Sequence, residues 1–201
     1  LINGNIEIPN GQILTIEPGV LVEFQGHYRF NVQGRLLAEG TEEGNIIFTP
    51  SSLAVGWKGI QFDNVLAMND SSKVKYCVIK SVYKDHNSDI EISEGGGITI
   101  INTSKIAILK SQIKNNNITG MNGGGIYCFS SNPVIKENLV YNNHAYEYFS
   151  ADEEAGAGGR GGGIYLAESN AKIIGNEIMS NYSDWGGGVH VNKGNPFIKN
   201  N

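Results

Sequence analysis

Four glycine triplets, each running straight into an alternating apolar stretch, constrain this chain more than any other feature. "GGGITI" begins at Gly95, "GGGIYC" at Gly123, "GGGIYL" at Gly161 and "GGGVHV" at Gly186, at spacings of 28, 38 and 25 residues. A single triplet would suit a flexible linker or a phosphate loop. No Lys-Ser/Thr and no helical period comes after any of the four, which excludes the phosphate cradle. Recurrence points to a structural repeat instead.

The segments downstream of the triplets repeat as well. A first strand comes directly after each one: Ile98-Thr99-Ile100, Ile126-Tyr127-Cys128, Ile164-Tyr165-Leu166 and Val189-His190-Val191. A polar turn and a second apolar strand come next, such as Ile106–Ile108 or Ile173-Ile174, and then a third short element ending on asparagine, "QIKNN", "LVYNN" or "EIMSN". Residues 56–62 and 71–79 read as a weaker copy. Residues 1–50 hold short β-rich runs between Gly, Pro and Asn turns. The chain carries 27 glycines and 24 asparagines, only 17% of its residues are charged, and no window shows a helical period.

A β-sandwich also has many short strands, but its sequence does not realign with itself about every 25 residues. A coil of three short parallel strands and three turns needs about that length. Alone it cannot bury its apolar face, so coils must stack about 4.8 Å apart. The expected fold is all-β: a right-handed parallel β-helix of three-strand coils with two longer loops on one edge. It is expected as one domain over residues 1–201, with N-terminal coils of distinct pattern over 1–55 and GGGI-type repeats over 56–201. The chain opens and stops in mid-pattern, as a segment of a longer protein would.

Side chains alternate along a strand, so faces can be assigned. Ile98, Ile126, Ile164 and Val189 form one inward column, and Ile100, Cys128, Leu166 and Val191 the next. Cys128 is thus expected as a core residue. Cys77 and Cys128 are the only cysteines, too few for a disulfide framework or a metal site. Asn116, Asn143 and Asn181 are expected to stack at a turn, their amides bonded along the ladder. Outward lie Thr99, Tyr127, Tyr165 and His190, with Trp185 just ahead of the last triplet.

These motifs carry a resemblance. The GGGI-type strand entries, the NP-apolar turns and the Asn-ending third strands resemble the repeats of the pectin-lyase-like superfamily of parallel β-helix proteins. They are also similar to the GGAI/FxxN-type repeats of bacterial surface adhesins and autotransporter passengers. The opening "ILTIEPGVLVEFQGHYRFNVQGRLLAEGT" resembles the N-terminal coils of secreted bacterial members. The resemblance implies a secreted or cell-surface protein and a β-helix scaffold. It implies no particular activity, because the repeat marks scaffold positions.

Chemistry is expected where the coils are unequal. From third-strand residue to next strand entry, Ile113 to Ile126 spans 13 positions and Ile178 to Val189 spans 11, but Val140 to Ile164 spans 24. The excess lies in residues 144–160, which hold His144, Tyr146, Tyr148, Asp152, Glu153, Glu154 and Arg160. Residues 84–94, at the same corner two coils earlier, hold Asp85, His86, Asp89, Glu91 and Glu94. Such loops project from one edge and could wall a cleft.

An aromatic stripe of Tyr127, Tyr165 and His190, with Trp185, Tyr146, Tyr148 and Arg160 nearby, suits a sugar chain. It also suits a cross-strand ladder that binds nothing. Asp152, Glu153 and Glu154, or Asp85, Asp89 and Glu91, could supply oxygen ligands to Ca²⁺, although neither set has a known calcium-loop spacing. No other cofactor is implied. Arg160, His190 and Lys114 are the basic groups available to a lyase, but no family catalytic motif is matched.

The net charge of −5 and pI near 5.4 argue against nucleic acid as the partner, and no apolar run approaches a membrane span. The leading expectation is a non-catalytic extracellular module for adhesion, structure or glycan binding. The alternatives are a polysaccharide lyase or glycoside hydrolase with its cleft beside residues 84–94 and 144–160, and a filament subunit stacking head to tail.

Overall fold

The computed structural model describes residues 1–53, 55–67, 69–85, 95–149 and 157–201. Its strands stack into parallel sheets that the chain visits in turn on every coil. The first sheet has seven strands: Ile6–Ile8, Phe30–Val32, Ile60–Asp63, Ile98–Ile101, Ile126–Phe129, Ile164–Ala167 and Val189–Asn192. The second, also of seven, runs through Ile13–Ile16, Arg35–Glu39, Ser72–Lys75, Ile106–Leu109, Val134–Lys136, Lys172–Ile174 and Phe197–Lys199. The third has six, from Leu21–Phe24 to Glu177–Met179. The register places Ile98 on Ile126, Ile126 on Ile164 and Ile164 on Val189, so each triplet opens one coil of a right-handed parallel β-helix.

The three-strand coil needs one correction. From residue 83 onward each coil has a fourth strand: Tyr83–Asp85, Asn117–Thr119, His144–Tyr148 and Tyr182–Ser183. Residues 144–148 therefore belong to the wall rather than to a projecting loop. Such strands are two to five residues long, too short for a period of two to stand out in sequence. Ile118, Met121 and Ala145 bury a small satellite core behind this sheet. Glu147 and Tyr148 also pair antiparallel with Ala157 and Gly158, forming a hairpin on this edge.

The first triplet glycines have positive φ: 86° at Gly95, 75° at Gly123, 64° at Gly161 and 71° at Gly186. The second and third are needed for a different reason. A Cβ on Gly96 would run into the Gly124 carbonyl, and one on Gly124 into that of Gly162. Successive triplets lie backbone on backbone, where any side chain would wedge the coils apart.

Four further corners share a rule. A residue with left-handed φ turns the chain and a buried polar residue comes next. Lys110 precedes Ser111, Ser130 precedes Ser131, Glu137 precedes Asn138, and Asn142 precedes Asn143. The Asn116–Asn143–Asn181 ladder is present as expected. Asn116 Nδ2 donates to Asn143 Oδ1 at 2.8 Å, and Asn143 Nδ2 to Asn181 Oδ1 at 2.9 Å. A second ladder, Asn138–Asn176–Asn201, repeats this geometry one corner earlier. Thr103, Ser131 and Ser169 form a third, in which each serine Oγ accepts from the backbone N–H of the coil before it.

The interior is aromatic at the N-terminal end, where Phe24 stacks on Trp57 with ring centroids 4.4 Å apart. The GGGI coils fill it with Ile98, Ile126, Ile164, Ile100 and Leu166, all fully buried. Cys77 and Cys128 are both free and buried. Burial pushes the Cys77 thiol up to about 12 and raises that of Cys128 as well, so neither serves as a nucleophile.

Candidate functional site

Two aromatic groupings stand on the outside of the coils, on different sheets. On the first sheet the register sets Asn31, Gln61, Thr99, Tyr127, Tyr165 and His190 in one outward column. Tyr127 and Tyr165 stack at 5.4 Å with planes 9° apart, and Tyr165 stacks on His190 at 5.3 Å and 15°. The stripe read from the sequence is therefore continuous. Its two tyrosines are not exposed, however: Tyr127 is 7% and Tyr165 4% accessible. They pack with Ala167, Ile101 and Phe129, and Tyr165 Oη accepts from Asn192 Nδ2 at 3.2 Å. Stacked ring faces are not open to a ligand, so these residues act as a cross-strand ladder.

His190 ends the stack at the edge of the sheet. Burial lowers its pKa and the Arg160 guanidinium lowers it further, opposed by a hydrogen bond to the Trp185 backbone. The backbone fixes this group of three: Arg160 and Trp185 form an isolated parallel bridge, with Gly161 N donating to Trp185 O and Trp185 N to Gly159 O, each at 2.9 Å. Arg160 and Trp185 are both exposed, the indole to 59%.

The second grouping lies on the fourth sheet. Asn117, His144 and Tyr182 share one outward column, and Thr119 and Tyr146 share the next. His144 Nδ1 and Tyr146 Oη are 2.7 Å apart. The Tyr182 ring meets His144 at 6.1 Å and Tyr146 at 5.3 Å, while His144 and Tyr146 contact edge to face at 5.6 Å. Tyr182 remains 49% exposed. Beyond it, Asp184 accepts from Glu147 N at 2.7 Å and from Tyr182 Oη at 3.5 Å, tying the segment leading to Trp185 onto the fourth sheet.

An open groove of about 430 Å³ adjoins this cluster, lined by Asn115, Asn116, Asn117, Asn142 and His144. Asn115 and Asn142 are the left-handed corner residues, with φ of 54° and 51°, and are held outward. Asn116 is a ladder residue, its amide committed to neighbouring coils. The groove thus offers corner amide donors and acceptors next to ring faces.

Of the residues singled out from sequence, the structure gathers His144, Tyr146, Trp185, Arg160 and His190 along one edge, and adds Tyr182. Tyr148 lies at the hairpin end of the His144–Tyr148 strand. Lys114 is elsewhere, on the third sheet, with its ammonium 5.4 Å from the Tyr141 ring centroid. Of the residues suggested for calcium, Asp85 ends a fourth-sheet strand, whereas Asp89, Glu91, Asp152, Glu153 and Glu154 lie outside the described residues. Among the described residues, no group of three or more His, Cys, Asp or Glu could hold a metal ion. Sequence reasoning missed Tyr182 and Asn142. The available signal was their place on either side of a ladder asparagine, Asn142 before Asn143 and Tyr182 after Asn181.

No curated protein and no solved structure matches this chain. A family model described as "Right handed beta helix region" matches residues 3–201. That match spans nearly the whole chain and agrees with the stacked parallel sheets, left-handed corners and internal ladders: the chain belongs to the right-handed β-helix family.

Proposed function

We propose that this chain is a non-catalytic, extracellular or cell-surface β-helix module that binds a carbohydrate along the edge where the fourth sheet meets the first. The observation that carries the reading is the exposed ring of Tyr182 in contact with His144 and Tyr146, beside the asparagine-lined groove. Sugar rings present apolar C–H faces to aromatics and hydroxyls to amides, and this surface supplies both. Trp185 extends the aromatic surface and Arg160 adds a cation. On the first sheet, the carboxylates on described strands are Glu7 and Asp63, which belong to different outward columns two coils apart. That arrangement supports binding over paired-carboxylate hydrolysis.

A glycan array followed by calorimetry on any hit tests the reading. Tyr182→Ala and Trp185→Ala are each expected to weaken binding about tenfold, or roughly 1.4 kcal/mol. Tyr127→Ala should leave the affinity of the folded protein unchanged. Silence across neutral and acidic glycans, or undiminished binding by the Tyr182→Ala/Trp185→Ala pair, would discard the proposal. Release of reducing ends or unsaturated products from any polysaccharide would replace it with the enzymatic one.

A further inference from the structure

Charge is distributed unevenly around the coil. The seven strands of the second sheet carry Arg35, Lys73, Lys75, Lys136, Lys172 and Lys199 on their outward positions, against one carboxylate, Glu39. The strands of the first sheet carry Glu7 and Asp63 and no lysine or arginine. A protein with a formal charge of −5 thus presents one cationic face. That face is separated from the fourth sheet by an intervening sheet in either direction around the coil.

The order of the lysines within this face is regular. One outward column reads Glu39, Lys75, Leu109, Lys136, Ile174, Lys199, so that from Lys75 onward a cation recurs on every second coil. The column beside it reads Leu37, Lys73, Ala107, Val134, Lys172, Phe197. No lysine sits directly on another within a column, which avoids like-charge apposition and gives the stems aliphatic neighbours to lie against. Two coil spacings put successive ammonium groups of the first column about 10 Å apart. Lys75, Lys172 and Lys199 have no carboxylate within ion-pair distance among the described residues. Lys73 is paired with Glu39, and Lys136 with Glu137, through contacts that remain partly exposed.

We infer that the outer face of the second sheet binds a linear anionic polysaccharide running along the helix axis, with Lys75, Lys136 and Lys199 meeting successive charges of the chain. The spacing is on the scale of a disaccharide, which matches a polymer bearing one charge per disaccharide. The sheet continues without a break from coil to coil, so an extended chain can follow it from Lys75 to Lys199. Nucleic acid fits this face less well. Phe197 is the single aromatic residue on its strands, and the Tyr76 ring at the adjoining corner already carries the Lys75 and Lys110 ammonium groups, so bases find little stacking surface. Its one arginine, Arg35, is engaged by Asp70 and the Ser71 carbonyl. This surface is independent of the aromatic edge proposed above and can stand or fall without it.

Hyaluronan, with one carboxylate per disaccharide and no sulfate, is a suitable probe for calorimetry on the whole protein at low and physiological salt. Binding is expected to weaken steeply as salt rises, because the contacts are exposed ion pairs. The Lys75→Gln/Lys136→Gln/Lys199→Gln protein should bind at least tenfold more weakly, with a shallower salt dependence and an unchanged circular dichroism melt. If Tyr182→Ala weakens hyaluronan binding while the triple lysine variant does not, the contact lies on the aromatic edge and the inference is overturned. Lys58→Gln/Lys193→Gln, which removes the same kind of charge elsewhere, should have no effect. The inference is overturned if the unmodified protein ignores hyaluronan or if the triple variant binds it undiminished. Tighter binding of polyuridylate or of anionic lipid vesicles would overturn it too.

Discussion

Tyr127 and Tyr165 lie one coil apart with their rings face to face, 5.4 Å between centroids and 9° between planes, and each is almost wholly covered. Their aromatic surface is therefore committed to the fold. Tyr127→Ala is expected to cost about 3 kcal/mol, the usual scale for truncating a buried aromatic residue. Chemical denaturation should show that loss with little change in slope. Glycan affinity of the folded variant should match that of the unmodified protein. A stable variant that no longer binds would return the tyrosines to the site.

Asn143 is built into its ladder through both side-chain polar atoms. Its Oδ1 accepts from Asn116 N and Nδ2, and its Nδ2 donates to Ile113 O and Asn181 Oδ1. Asn143→Ala would strand buried donors and acceptors on both neighbouring coils, at about 1–3 kcal/mol for each unsatisfied group. Loss of the folded state at room temperature is the expected result, seen as loss of the β-sheet circular dichroism signal. Asn142→Ala, one residue earlier on the exposed corner, should cost far less, limited to the strain of a left-handed alanine. Equal effects of the two would contradict the internal ladder.

These residues also show what the sequence could and could not reveal. The Asn116–Asn143–Asn181 ladder was legible because asparagine recurs at the end of three apolar runs. The Thr103–Ser131–Ser169 ladder was not, because small hydroxyl residues are common in any turn and carry no distinctive spacing. The inward columns through Ile98 and Ile100 came from alternation alone. The fourth sheet stayed hidden because Asn117–Thr119 and Tyr182–Ser183 are too short to display a period. The burial of Tyr127 was out of reach as well. Alternation places a side chain on the outer face, but it does not show how closely the outward neighbours Tyr165, Ile101, Phe129 and Ala167 pack around it.

Glycines at the same motif position should differ in tolerance according to whether a coil lies on them. A Cβ on Gly163 would meet the Gly188 carbonyl at 2.5 Å, with Asn181 Nδ2 at 3.0 Å. A Cβ on Gly188 would meet only Ile178 Cγ2, at 3.9 Å. Gly163→Ala must push coils apart and should lower the melting temperature strongly or abolish folding. In the 201-residue chain itself, Gly188→Ala should be neutral to slightly stabilising, since alanine restricts the unfolded chain. Thermal melts of the two variants make the comparison, and equal melting temperatures would contradict the close stacking of the triplets.

His190 makes the stability of the last coils depend on pH. Its pKa in the folded chain lies below the ordinary value of 6.5, through burial first and the nearby Arg160 charge second. The unfolded chain therefore binds the proton more readily than the folded one, and stability rises with pH across the interval between the two values. The contribution is full above about 6.5 and is lost as pH falls through the folded value. Melting temperature should therefore climb as pH rises toward about 6.5, after allowance for carboxylates that titrate lower. In His190→Asn this rise should flatten. In Arg160→Gln it should shrink only in part, because burial is the larger cause. A His190→Asn protein with an unchanged pH profile would show that the imidazole, although stacked on Tyr165, titrates as freely in the fold as in the unfolded chain.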